Sequence, residues 1–131
     1  MKKHVSWTGK VNGVSAGGSH QVQDWEDVWQ YLVNLRENAG TVRIHLVDAP
    51  DSGPISIQLR SENKMYLVTL LEANEEGTDV REYNNPTVHA DMIDILGDCW
   101  DARQLTNDFD LVVILLKQFF ETGDVSRQWL N

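Results

Sequence analysis

The chain has 131 residues and a single cysteine, and its 20 acids against 11 lysines and arginines leave a formal net charge of −9. That length supports one domain with a core of its own, and a lone Cys99 excludes an intramolecular disulfide and points to a reducing compartment. The acidic balance argues against nucleic acid, which calls for a basic footprint; no run is long and apolar enough for a bilayer span or a signal peptide, so a cytoplasmic protein away from membranes is expected.

Lys3 to Val11 alternates weakly, with Val5, Trp7 and Val11 apolar, and predicts a first strand. Gly13 to Ser19 holds three glycines and two serines and reads as a loop. No Gly-Lys-Ser/Thr follows, so it is not a phosphate cradle. Asp24 is placed to cap a first helix from Trp25 to Asn38, with Trp25, Val28, Trp29, Leu32 and Leu35 at core spacing. Thr41 to Val47 alternates cleanly, with Val42, Ile44 and Leu46 inward and Thr41, Arg43 and His45 outward. After a turn cluster at Ala49 to Pro54, Ile55 to Arg60 alternates again. Ser61 to Asn63 turns the chain, and Met65 to Leu71 is continuous enough for a central strand. Glu75-Glu76-Gly77 is a loop, Thr78 to Tyr83 a short strand, and Asn84-Asn85-Pro86 a break.

The last third carries the strongest pattern. Met92, Ile93, Ile95 and Leu96 form an apolar stretch interrupted by Gly97 and followed by Trp100. A polar corner, Thr106-Asn107-Asp108, then opens a helix that ends at Gly123. Phe109, Leu111, Val112, Val113, Leu115, Leu116, Phe119 and Phe120 fill a broad arc of it, while Ile114 falls among Asp110, Lys117, Gln118 and Glu121. Short turns between consecutive strands favour an α+β domain spanning residues 1–131. It has a mainly antiparallel sheet of five to six strands, one helix after the first strand and one at the C-terminus.

A reaction centre is harder to find. His4, His20, His45 and His89 never fall in a metal-binding spacing. The serines lack a nucleophile elbow. Cys99 stands among Asp98 and Asp101, which raise a thiol's pKa, and reads as a small buried residue. The expectation is a binding protein with no catalytic residues, no metal and no cofactor.

The charge is local. From Glu72 to Asp101 stand Glu72, Glu75, Glu76, Asp79, Glu82, Asp91, Asp94, Asp98 and Asp101, opposed only by Arg81; nine minus one gives −8 of the −9. Such a segment is either a solvated surface or one that meets a basic partner.

The layout also resembles the Imm1 family of bacterial immunity proteins, which accompany polymorphic and contact-dependent toxins. The residues that carry the resemblance are Asp24-Trp25-Glu26 at a helix entry, the strand Val42 to Val47 and the Glu76-Gly77 pair. In the C-terminal segment they are Gly97, Trp100 and the closing Phe119-Phe120-Glu121-Thr122-Gly123. The similarity runs from Gln23 to Trp129. The chain departs from the family where Asp101 directly follows Trp100, in place of a glutamate a little further on. The resemblance implies an α+β fold, no catalysis, and neutralisation of one cognate toxin domain, a nuclease or deaminase, by direct binding. Glu76, Gly77 and Trp100 are its motif positions. The full expected contact set is Glu72, Glu75, Glu76, Gly77, Asp79, Glu82, Asp91, Asp94, Asp98, Trp100 and Asp101. The alternative is an acidic secretion chaperone that binds an effector. Oligomeric state is not fixed by the sequence, which leans to a monomer.

Overall fold

The fold was read from a computed structural model that describes residues 1–131. Its strands are β1 Lys3–Val11, β2 Val14–Val22, β3 Gly40–Leu46, β4 Gly53–Glu62, β5 Met65–Asn74, β6 Gly77–Glu82, β7 Met92–Ile95, β8 Asp98–Asp101 and β9 Leu105–Thr106. Helix α1 is Trp25–Asn34 and α2 is Phe109–Thr122. A seven-stranded antiparallel sheet runs β2-β1-β3-β4-β5-β6, with β9 pairing β5 beside β6, while β7 and β8 form a separate hairpin.

Register turns the strand alternation into two unlike faces. Val5, Ile44, Ile57 and Leu70 stand opposite one another across β1, β3, β4 and β5, as do Trp7, Val42, Leu59 and Val68. These side chains meet Val28, Leu32 and Leu35 of the α1 region and Leu115, Leu116 and Phe119 of α2 in one core. The other face carries His4 opposite His45, Arg43 opposite Gln58, and Thr41 opposite Arg60. The architecture is therefore a sheet with both helices on one side, the α+β domain expected.

Helix α2 forms as its residues dictate. The Asp108 carboxylate accepts the Leu111 N–H at 3.2 Å, and Gly123 closes the helix in the left-handed conformation at φ 81. Ile114 stands 55% exposed on the polar side. The chain then doubles back along β6. Arg81, 4% exposed, holds it there: its guanidinium donates to the Leu130 carbonyl at 3.1 Å and the Val125 carbonyl at 2.6 Å, and to the carboxylates of Glu72 and Asp124.

Three local readings change. The glycine-rich stretch expected as a loop is β2, because Asn12 and Gly13 take positive φ (53 and 77) and form the two-residue turn that pairs Val14–Val22 with β1. Helix α1 follows that hairpin and stops at Asn34 rather than Asn38. Just past its end, Ser61 donates to the Leu35 carbonyl and Tyr66 to the Arg36 carbonyl. Asp24 sits at the N-cap position with no capping bond from its side chain, while Asp27 accepts from His20 and Gln30.

Candidate binding surface

The acidic segment does not fold into one patch. Glu72 is drawn inward, bonded to both Arg81 and Arg127, with its side chain 18% exposed. Asp101 is also committed. It accepts the backbone N–H and the guanidinium of Arg103 and begins a short 3-10 turn closed by Gln104. The hydrogen bonds from Arg103 hold its carboxyl at about 2. Asp79 accepts from Asn74 at 2.6 Å, and Glu82 is half-buried at the end of β6. Glu75 and Glu76 are exposed in the β5–β6 turn, where Gly77 takes φ 131.

The remaining expected residues gather on the β7–β8 hairpin. Asp91, Asp94 and Asp98 are exposed there. None of the three lies within ion-pair distance of a lysine or arginine. The inner side of the hairpin rests on the open face of the sheet through Ile95, packed with Leu67 and Leu105, and through the half-buried Ile93 and Trp100. Arg60 lies over the Trp100 ring at 5.7 Å, and the indole N–H is buried without a partner. The outer side presents Met92, 59% exposed, and at the tip Leu96, 36% exposed. Leu96 adopts φ 53, which a branched side chain disfavours, and the Glu62 carboxylate accepts its N–H at 3.1 Å.

The hairpin and the Glu75-Glu76 turn stand at opposite ends of the sheet. The hairpin packs on Leu67, and Asn74 leads into the turn. Seven steps of extended strand separate them, roughly 23 Å at about 3.3 Å per residue. The expected contact set therefore divides into two exposed acidic clusters and a group of internally bonded carboxylates.

Cys99 lies on this hairpin and is exposed, not buried as expected: it sits on the outward side of a two-stranded ribbon that has no layer above it. Its thiol is pushed up by desolvation and by Asp94, directly opposite across the ribbon.

Beside the hairpin the open face of the sheet is polar and carries free cations. A shallow depression of about 220 Å³ is lined by Arg43, Ser56, Gln58, Arg60, Thr69 and the apolar pair Leu71 and Val80. Neither Arg43 nor Arg60 has a carboxylate partner. His4 and His45, forty-one positions apart in the chain, are direct cross-strand neighbours. Burial, then Arg43, then His4 hold His45 below its ordinary value. Sequence reasoning missed this grouping, although the outward positions of the alternating strands already contained it. No group of three or more His, Cys, Asp or Glu side chains converges as a metal site would require.

No helix is long and apolar enough to cross a membrane. No curated protein matches the chain. Among solved structures it is similar to a hypothetical protein from Neisseria gonorrhoeae, with a TM-score of 0.74 at 14% identity over 95% of this chain and 91% of that one, a likeness of fold. A family model, described as a family of unknown function (DUF6911), matches residues 8–129, and the chain belongs to that family.

Proposed function

We propose that this protein is a non-catalytic binding domain that neutralises a basic toxin domain, docking it through the β7–β8 hairpin. One observation carries the reading. The hairpin presents three carboxylates without cationic partners around exposed Met92 and Leu96, and Leu96 is held at a φ its side chain disfavours. Exposed apolar anchors ringed by charge suit a protein partner, the anchors contributing affinity and the charges association rate. Strained backbone at an exposed tip is a recurrent mark of a contact site.

The test is co-expression with a toxin domain encoded beside the gene, scored by growth protection and by stopped-flow association. Asp94→Lys with Asp98→Lys is expected to abolish protection and slow association at least tenfold. Glu75→Lys with Glu76→Lys changes net charge equally from the far end of the sheet and is expected to leave both nearly unchanged. Equal effects from the two pairs would mean that bulk charge, not the hairpin, meets the partner. Full protection by the hairpin variant would overturn the proposal.

A further inference from the structure

The free edge of the sheet offers a second surface. Strand β2 is the outermost strand on its side, nine residues long and paired with β1 in unbroken register. The tight turn at Asn12-Gly13 makes Val11 and Val14 the first hydrogen-bonded pair, so even-numbered residues of β2 bond to β1. The backbone N–H and C=O of Ser15, Gly17, Ser19 and Gln21 therefore point away from the sheet. Proteins ordinarily blunt such an edge with charge, proline or a bulge. This strand has none of them: between Lys10 and Asp24 there is no Asp, Glu, Lys, Arg or Pro. The opposite edge differs: β6 is shorter, six residues, its last residue Glu82 exchanges backbone hydrogen bonds with Asn131, and it carries the charged Asp79, Arg81 and Glu82.

We infer that β2 pairs with β2 of a second copy of this chain, joining two sheets about a two-fold axis at Gly18. Three features favour a second copy as the occupant. Two molecules of charge −9 repel, so a self-contact needs a neutral stretch, and thirteen consecutive residues from Val11 to Gln23 supply it. In a two-fold contact each residue meets its counterpart across the axis. Antiparallel pairing centred on Gly18 sets Gly17 opposite Ser19 and Ser15 opposite Gln21, using every outward-pointing backbone group. Small side chains at Ala16, Gly17 and Gly18 leave the two backbones free to approach. Leu96 at the hairpin tip lines the same hollow on the sheet as Ser15, Ala16 and Gly17 of β2; the self-contact uses the backbone edge of that strand and is inferred whether or not the hairpin binds a toxin.

The experiment combines sedimentation with residue-resolved amide exchange on the full chain. The expected mass at high concentration is twice 14.9 kDa. The amides of Ser15, Gly17, Ser19 and Gln21 should gain protection as concentration rises, while those of Ala16, Gly18 and His20 are protected throughout. Gln21→Pro removes an outward N–H without touching the β1 ladder; it is expected to remain folded and become monomeric. A monomer with freely exchanging outward amides at the highest concentration overturns the inference. So does a dimer whose outward amides stay unprotected, or one that survives Gln21→Pro. Protection that appears only on adding a foreign protein assigns the edge to another partner and equally overturns self-pairing. Because exchange is read on the unaltered chain, a misfolded proline variant leaves the decision intact.

Discussion

Arg81 is where the largest single-residue effect is expected. In sequence it is the one base among nine acids of its segment; in the fold it is 4% exposed and bonds two carbonyls and two carboxylates from the β5 strand and the C-terminal tail. Removing one partner of a buried charged cluster costs about 3–5 kcal/mol, because the remaining groups stay desolvated and unpaired. Arg81→Ala should lower stability by about that amount in a urea titration. Arg81→Lys should recover only part, since an ammonium does not span the planar fork of contacts. An unchanged midpoint in Arg81→Ala would show that the tail packs without the clamp. Cys99 makes a smaller, pH-dependent statement. Its thiol pKa is raised by desolvation and Asp94, so the reactive thiolate forms only at a pH above the ordinary thiol value. The alkylation rate-versus-pH profile of the native protein should be displaced upward relative to a free thiol. Asp94→Asn should shift it back down. A profile unmoved by Asp94→Asn would remove Asp94 as a cause.

At the scale of elements, α2 and the β7–β8 hairpin behave oppositely. Leu116 and Phe119 are fully buried between the sheet and α1. Leu116→Ala or Phe119→Ala should each cost about 2–5 kcal/mol in a denaturant titration. Ile114→Ala, on the exposed side, should stay within about 0.5 kcal/mol. An equal cost at positions 114 and 116 would reverse the assigned facing of the helix. The hairpin should gain stability from a change that harms its proposed role. Leu96 holds a left-handed conformation that asparagine tolerates better. Leu96→Asn should therefore raise stability by up to about 1 kcal/mol in thermal unfolding while weakening toxin binding. Lower stability would show that the side chain contributes more packing than its backbone conformation costs.

Across the whole molecule, charge is sorted by surface. The acids of the hairpin and of the β5–β6 turn lie at the two ends of the sheet; free arginines lie on the open face between them; and the β2 edge is neutral. Exposed charges act over the Debye length, about 30 Å at 0.01 M salt and about 8 Å at 0.15 M. At low salt both acidic ends should steer a basic partner, and near physiological salt only the end in contact should. If the proposed toxin domain is the partner, its association rate should thus fall steeply with added salt in the wild type. The slope should be clearly shallower over the whole salt range in Asp94→Lys with Asp98→Lys, and shallower only at low salt in Glu75→Lys with Glu76→Lys. Identical slopes in stopped-flow measurements would refute the assignment to the hairpin.

What the sequence determined by itself was whatever depends on near neighbours along the chain. Alternation in Thr41 to Val47 and Ile55 to Arg60 set which side chains face the core, because successive strand residues point to opposite faces. The polar corner at Asp108, the broad apolar arc and Gly123 set both ends and the buried side of α2. Tertiary structure decided what depends on partners distant in the chain. Val14–Val22 is a strand because β1 supplies its hydrogen bonds, not because its residues favour one. The thirty-residue acidic run is spread over two ends of the sheet because β6, antiparallel to β5, carries the chain back from the Glu75-Glu76 turn toward the end where the hairpin packs. Glu72 and Asp101 look no different from Asp94 in sequence, yet two arginines draw Glu72 inward and Arg103 holds Asp101, while Asp94 stays free of basic partners. His4 and His45, and Arg43 and Arg60, come together only through strand register, and long-range pairing sets that register.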